Sequence, residues 1–280
     1  NAGMNQFKDV FLGYQKPDFK RVVNSQKCLR ISGKHNDLDQ VGHDTYHHTF
    51  FEMLGNWSFG DYGKEKAIEY AWEFLVNVCG LDKSRMYVTV FSGDNQDNIS
   101  RDKETFDLWK SYLPDDNILY FDKDDNFWEM GDTGPCGPST EIHYDNRDIS
   151  EIDKICGGEL VNKNHPEVIE IWNIVFINYN RSQDGSLSKL STLYVDTGMG
   201  LERLAMLMQR KKSNYDIDIF QSIIKKITED NKVKYGEEKK IDIALRVIAD
   251  HVRAAVFLIS DGLAPSNNKS GYVIRRILRR

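Results

Sequence analysis

Three clusters in this chain pair arginine, aromatic or acidic side chains with glycine, a make-up suited to gripping phosphates and small charged ligands. The first runs Lys27-Cys28-Leu29-Arg30, then polar residues 33–46, then His47-His48-Thr49-Phe50-Phe51-Glu52. Two strand-like runs around a polar stretch predict a hairpin with a long tip. Arg30 then ends one strand, and Phe50 and Phe51 lie on the other. An Arg fork takes a phosphate bidentately and an aromatic face stacks on a base, so the pattern outlines a nucleotide site. The second cluster, residues 125–139, carries Trp128, Gly131, Gly134 and Gly137 with Pro135 and Pro138. Such spacing predicts a rigid loop, neither helix interior nor central strand, whose backbone can approach a ligand closely. No Gly-Lys-Ser/Thr follows it, which excludes a Walker loop.

The third cluster is Asp196-Thr197-Gly198-Met199-Gly200-Leu201-Glu202-Arg203. Its glycines let a strand pass close to a ligand before a helix begins. Arg203 in the first helical turn runs against the preference for acidic residues there. An anionic ligand accounts for it, and so does a surface salt bridge. A Gly-x-Gly-x-x-Gly fingerprint is absent, so a dinucleotide fold has no support. His43 and His47 have the spacing of a helical metal pair. Gly42 opens that stretch, no third ligand is near, and strand follows, so no metal site is expected.

These residues need elements to hold them. Lys64 to Cys79 has Ala67, Ile68, Ala71, Trp72, Leu75 and Val78 at helical spacing, with Gly80 as the stop. Met86 to Phe91 and Ile169 to Tyr179 read as strands, and Leu193 to Val195 as a short one. Gly198 to Gln209, Ile217 to Thr228 and Ile243 to Ile259 read as helices. Strands with interspersed helices but no regular βαβ beat predict an α+β fold on an antiparallel sheet. The polar stretch 231–240 marks the expected boundary, after which everything looks helical.

Composition narrows the classes further. The 280 residues are 40% hydrophobic and 29% charged, which is globular, and the net charge of −6 excludes a uniformly basic binder. From Arg246 onward, seven Lys or Arg face Asp250 and Asp261, a local +5 that leaves −11 on the first 245 residues. An acidic body joined to a basic module fits this asymmetry, as does a solvated helix face. Cys28, Cys79, Cys136 and Cys156 form no Cys-x-x-Cys pair and read as reduced thiols of a cytosolic protein. No apolar run approaches the roughly 18 residues of a membrane span.

Taken in order, these blocks resemble the catalytic core of the alanyl-tRNA synthetase family, within the class II aminoacyl-tRNA synthetases. The matching segments are residues 1–8 (Asn-Ala-Gly-Met-Asn-Gln-Phe-Lys), 33–38, 47–62, 125–138, 170–173 (Glu-Ile-Trp-Asn), 195–203 (Val-Asp-Thr-Gly-Met-Gly-Leu-Glu-Arg) and 213–216. The basic stretch from Arg246 to Arg280 matches as well, so the resemblance covers essentially the whole chain.

The resemblance implies a class II antiparallel sheet flanked by helices over residues 1–235, an aminoacylation domain short of its N-terminal part. Residues 236–280 would begin an all-helical tRNA-recognition domain. The implied activity is ATP-dependent conversion of L-alanine to alanyl-adenylate and its transfer to the 3′ end of tRNA(Ala). Arg30 would then hold the α-phosphate and Arg203 the γ-phosphate of a bent ATP, with Mg2+ bridging the phosphates. His48, Trp128, Ile171, Trp172, Asn173 and Gly200 would line the ATP pocket, with Phe51 stacking on adenine. Asp196 would pair with the ammonium of alanine, Asn173 would orient its carboxylate, and Gly198 would leave room for it.

One departure is that Ile31 and Ser32 follow Arg30, where the family has small residues. A catalytically silent tRNA-binding paralogue would show damage at Arg30, Asn173, Asp196 or Arg203, and all four are intact. The chain starts without Met and ends inside a basic helix, so it reads as a piece of a longer protein. Its editing domain, with the zinc ligands the family carries there, would lie beyond Arg280. Partners are then ATP, alanine and tRNA, with no membrane, in the cytoplasm or an organelle.

Overall fold

The computed structural model describes residues 3–31 and 38–280; Asn1, Ala2 and residues 32–37, including Ser32, lie outside them. The chain divides into two compact units. Among the described residues, the larger holds 3–26 and 53–200, and the smaller holds those of 27–52 and 201–280.

The chain forms one sheet, most of whose residues belong to the larger unit. Its strands are β1 (Arg21–Leu29), β2 (Phe50–Ser58), β3 (Met86–Phe91), β4 (Ile118–Phe121), β5 (Phe127–Glu129), β6 (Gly134–Asp145), β7 (Val168–Arg181) and β8 (Leu187–Gly200). The order is β1-β2-β8-β7-β6-β3-β4, with β5 added on β6. Pairs β2–β8, β8–β7, β7–β6, β6–β3 and β5–β6 are antiparallel, and β3–β4 is parallel. The expected α+β class with a largely antiparallel sheet therefore stands. Helices α1 (Lys8–Phe11), α2 (Lys64–Trp72), α3 (Lys103–Trp109), α4 (Lys123–Asn126) and α5 (Ile149–Ile152) flank it. In α2, Ala67, Ile68 and Ala71 are buried at helical spacing, and the chain runs on through a wider turn over Glu73–Val78 before Gly80, at φ +69°, ends it.

Two sequence expectations fail in this sheet. The Gly/Pro-rich segment predicted as a loop is strand β6 from Gly134 onward, in the middle of the sheet. It can be so because the β6–β7 register shifts between Cys136 and Ser139, so Pro138 falls at an interruption of that ladder. Gly137 lies there because a Cβ would sit 2.0 Å from the Phe176 carbonyl oxygen. The close approach is to a neighbouring strand. Likewise β8 runs through Gly200 instead of stopping at Val195, and the next helix begins at Leu201, not Gly198. Residues 196–200 pair with β2 on one side and β7 on the other, and that double ladder overrides their low strand propensity.

Strand β7 is buried on both faces over Ile174, Val175, Phe176 and Ile177, as a central strand covered on both sides must be. On one face Met4, Val10, Phe11, Trp57, Phe59, Val175 and Ile177 form a cluster, against which Trp128 packs. Each such aliphatic or Phe side chain contributes about 1.5–3 kcal/mol by leaving water.

The smaller unit combines the hairpin residues with helices α6 (Leu201–Met208), α7 (Asp218–Asn231), α8 (Lys239–Ser260) and α9 (Lys269–Arg279). Ile31, Leu38, Phe50, Ala254 and Ile277 make its apolar cluster. Residue 235, expected as a boundary, lies inside this unit, between two of its helices. None of the described helices is long and apolar enough to cross a membrane.

Candidate active site

In the larger unit, cross-strand pairing lines up a polar row. Thr89 pairs with Glu141, Glu141 with Asn173, and Asn173 with Gly198, so their side chains share one face. The next row on that face holds Ser139, Val175, Asp196 and Trp57. Asn173 and Asp196 are thus diagonal neighbours, the arrangement in which side chains on adjacent strands meet.

Asp196 is 7% exposed and accepts a hydrogen bond from the Trp57 indole Nε1. Among the described residues no cation pairs with it. Burial pushes its carboxyl up to about 7, against the opposing hydrogen bond from Trp57. The Trp57 ring reaches it by folding over Gly55, where a Cβ would lie 2.2 Å from the ring. Only glycine fits at 55.

Asn173 donates from Nδ2 to Glu141 Oε1 at 3.3 Å, and its Oδ1 is buried with no hydrogen-bond partner among the described residues. An ammonium group would satisfy both this orphaned acceptor and the neighbouring Asp196 carboxylate. Gly198 was expected to leave room for a small substrate. A Cβ there would meet the Met53 sulfur at 3.1 Å, so the Met53 thioether bounds that room. Ile171 is buried, Gly200 pairs with Met53, and Trp128 packs on the Trp57 cluster. Trp172 does not join them. Alternation turns it to the opposite face, where its ring meets Phe74 edge-on at 5.9 Å.

In the smaller unit, Arg30 follows β1 and its backbone N–H donates to the Thr49 carbonyl at 2.9 Å. Its guanidinium lies 5.1 Å from the Phe51 ring centroid, and its Nε is buried without a partner among the described residues. A phosphate oxygen would satisfy that donor. Arg203 lies 5.1 Å over the Tyr46 ring. Its helix α6 is anchored one residue earlier. Buried Glu202 takes Arg253 Nη1 at 2.6 Å and the Glu52 backbone N–H at 3.2 Å. Arg253, counted in the sequence among the basic charges of the C-terminal stretch, is buried on this carboxylate.

His48 was expected to line the ATP pocket, and its ring is committed elsewhere. Nδ1 lies 3.2 Å from Asp250 Oδ1, Nε2 lies 3.0 Å from Asn214 Nδ2, and the ring stacks on Phe220 at 4.7 Å. With both nitrogens taken, His48 fastens the start of β2 to α8. Asp250 also accepts from the Thr49 backbone and hydroxyl and from His251. Burial alone would raise its carboxyl, but the hydrogen bonds from His251, His48 and Thr49 hold it below the ordinary range.

The sequence missed Trp57, Glu141, Met53, Asp250 and Arg253. Ser139, Glu141 and His143 alternate with period two, a strand signal that could have exposed Glu141. Asp250 and Arg253 share the buried stripe of α8 with Ala249 and Ala254, so charge inside an apolar stripe was their mark. No three His, Cys, Asp or Glu side chains converge as a metal site among the described residues.

In the larger unit a buried carboxyl and an orphaned amide oxygen are diagonal neighbours, and in the smaller unit two arginines each lie over an aromatic ring. Over residues 1–280 the chain matches the family described as tRNA synthetases class II (A), and it belongs to that family. It is 59% identical to the alanine–tRNA ligase of Cytophaga hutchinsonii and 60% to that of Bacteroides thetaiotaomicron, in each case over 100% of this chain and 32% of the relative. The chain thus spans about a third of the length of those relatives. A crystal structure of apo Staphylococcus aureus histidyl-tRNA synthetase aligns over 76% of this chain and 51% of that one, at 13% identity and a TM-score of 0.39.

Proposed function

We propose that this chain activates L-alanine with ATP, forming alanyl-adenylate and diphosphate, and passes the alanyl group to the 3′ end of tRNA(Ala). The observation that carries this reading is Asp196, a buried carboxylate with one indole donor and, among the described residues, no counter-ion, beside an Asn173 Oδ1 that no described residue partners. An α-ammonium group supplies the missing charge. The identity to alanine–tRNA ligases supports alanine as its bearer.

The chemistry asks little proton transfer of the protein. The amino-acid carboxylate is already ionised at neutral pH and attacks the α-phosphorus directly, with diphosphate leaving. Arg30 would neutralise the α-phosphate as charge builds there, and Arg203 would hold the γ-phosphate. Phe51 would stack on adenine, and Trp128, Ile171 and Gly200 would shape the binding surface. Asp196 would hold the ammonium, Asn173 the carboxylate, and Gly198 with Met53 would limit side-chain size. Mg2+ would accompany the ATP phosphates. Residues 236–280 would begin the tRNA-recognition region, where exposed Arg275, Arg276, Arg279 and Arg280 favour phosphates without reading sequence. The bacterial relatives support a cytoplasmic setting.

The test is amino-acid-dependent ATP–diphosphate exchange with alanine, serine, glycine and no amino acid. Alanine should exceed glycine by about 10–200-fold, the worth of one methyl group in a pocket. Exchange independent of the amino acid, or strongest with a large one, would overturn the reading.

A further inference from the structure

Glu141 has no place in the chemistry above, yet its carboxylate is the best-connected acceptor on the Asn173 face. Its two oxygens have different work. Oε2 takes His143 Nε2 at 3.1 Å, Asn162 Nδ2 at 3.2 Å and the Thr89 hydroxyl at 3.3 Å. Oε1 takes Asn173 Nδ2 at 3.3 Å. Three partners from three segments thus fix the carboxylate, and the remaining oxygen faces the amide.

An asparagine amide has two nearly equivalent orientations that exchange its donor and acceptor ends. Among the described residues no hydrogen bond to Asn173 Oδ1 selects between them. We propose that Glu141 is a positioning residue that sets the orientation of the Asn173 amide and thereby its affinity for the substrate amino acid. By accepting one N–H of Nδ2 it keeps nitrogen on its own side and leaves the second N–H for a carboxylate oxygen. Oδ1 is held on the other side, open to an N–H of the ligand. The inference deepens the alanine-activation reading and rests on it for the identity of the ligand.

The discriminating variant is Glu141→Gln. Three donors face one end of residue 141, so a glutamine turns its single oxygen to them and its NH2 toward Asn173. Asn173 must then flip to offer Oδ1, while the outer contacts survive. Expected are a tenfold or greater rise in KM for alanine, a KM for ATP changed less than twofold, and an unchanged Tm. In this background Asn173→Ala should cost less than twofold more, although in the parent it costs far more. An unchanged KM for alanine, or an equal cost of Asn173→Ala in both backgrounds, overturns the proposal.

The side-chain amide resonance of Asn173, assigned by its loss in Asn173→Ala, supplies a readout independent of activity. It should shift in Glu141→Gln, and a resonance that stays put also overturns the proposal. A parent that activates no alanine would defeat the functional reading, while the resonance would still decide the role of Glu141. Should the Gln variant melt early, Asn162→Gly removes one outer support at a residue whose φ of +55° suits glycine. A two- to fivefold rise in KM for alanine is then expected, and no change overturns the proposal.

Discussion

Asp196 in the larger unit and Asp250 in the smaller are both buried aspartates, and their surroundings are opposite. Asp250 is met by His48, His251 and both the N–H and hydroxyl of Thr49, and its carboxyl is held below the ordinary range. Asp196 is met by one indole N–H, and its carboxyl is raised to about 7. A saturated buried carboxylate holds a fold together. One left short of partners costs stability until a ligand completes it. Depth of burial does not separate structural from functional charge; the completeness of the partner set does.

The contrast can be broken most forcefully at Asp250. Asp250→Ala strands His48, His251 and Thr49 and should cost about 3–5 kcal/mol in urea unfolding at neutral pH. A loss under 1 kcal/mol would mean the network is ornamental. Because its folded pKa is depressed, the stability Asp250 supplies is present above the ordinary carboxylate pKa and is lost as pH falls through the folded value.

Asp196→Asn should do the reverse. Alanine-dependent exchange should fall about 100-fold, as for losing one partner of a buried charge pair, with ATP affinity within about twofold. Stability should not suffer. The carboxyl is raised from 3.8 to about 7, so its contribution is present below 3.8 and lost as pH rises to 7. The variant should therefore melt no lower than the parent at pH 8, and a clearly lower Tm would assign Asp196 to the structural kind.

A third measurement sharpens the comparison. Only the ionised Asp196 pairs with an ammonium, so apparent alanine affinity should rise about tenfold per pH unit up to about 7 and level off above it. A profile flat from pH 5 to 8 would contradict the role. The smallest effect belongs to Trp57→Phe, which removes the donor that lowers the Asp196 pKa. It should move that profile upward by about one unit or less.

Much of this was legible in the sequence, and the failures have physical causes. Met86–Phe91 is apolar or β-branched at nearly every position and could be read as strand directly. Asp196 was marked by its setting, an acid at the end of a strand-like run followed by glycines. Residues 134–145 were not legible, because Gly137 and Pro138 look like loop residues until β7 passes within 2.0 Å of a Cβ position at 137. The extension of β8 to Gly200 depends on ladders to β2 and β7, formed by residues far away in sequence. His48 was legible as important and misjudged in role, since its partners Asp250 and Asn214 lie 202 and 166 residues away. Local pattern finds the residue; distant partners decide what it does.

The smaller unit is assembled from two stretches of chain separated by the whole of residues 53–200. Glu202 and Arg253 pair within the second stretch, Glu202 also accepts from the backbone of Glu52 in the first, and His48 in the first meets Asp250 in the second. A genetic exchange with its crossover near codon 235 would therefore bring together a Glu202 and an Arg253 of different parentage. Hybrid genes should tolerate foreign C-terminal helices only when these long-distance pairs are inherited together, so the heritable module here is discontinuous.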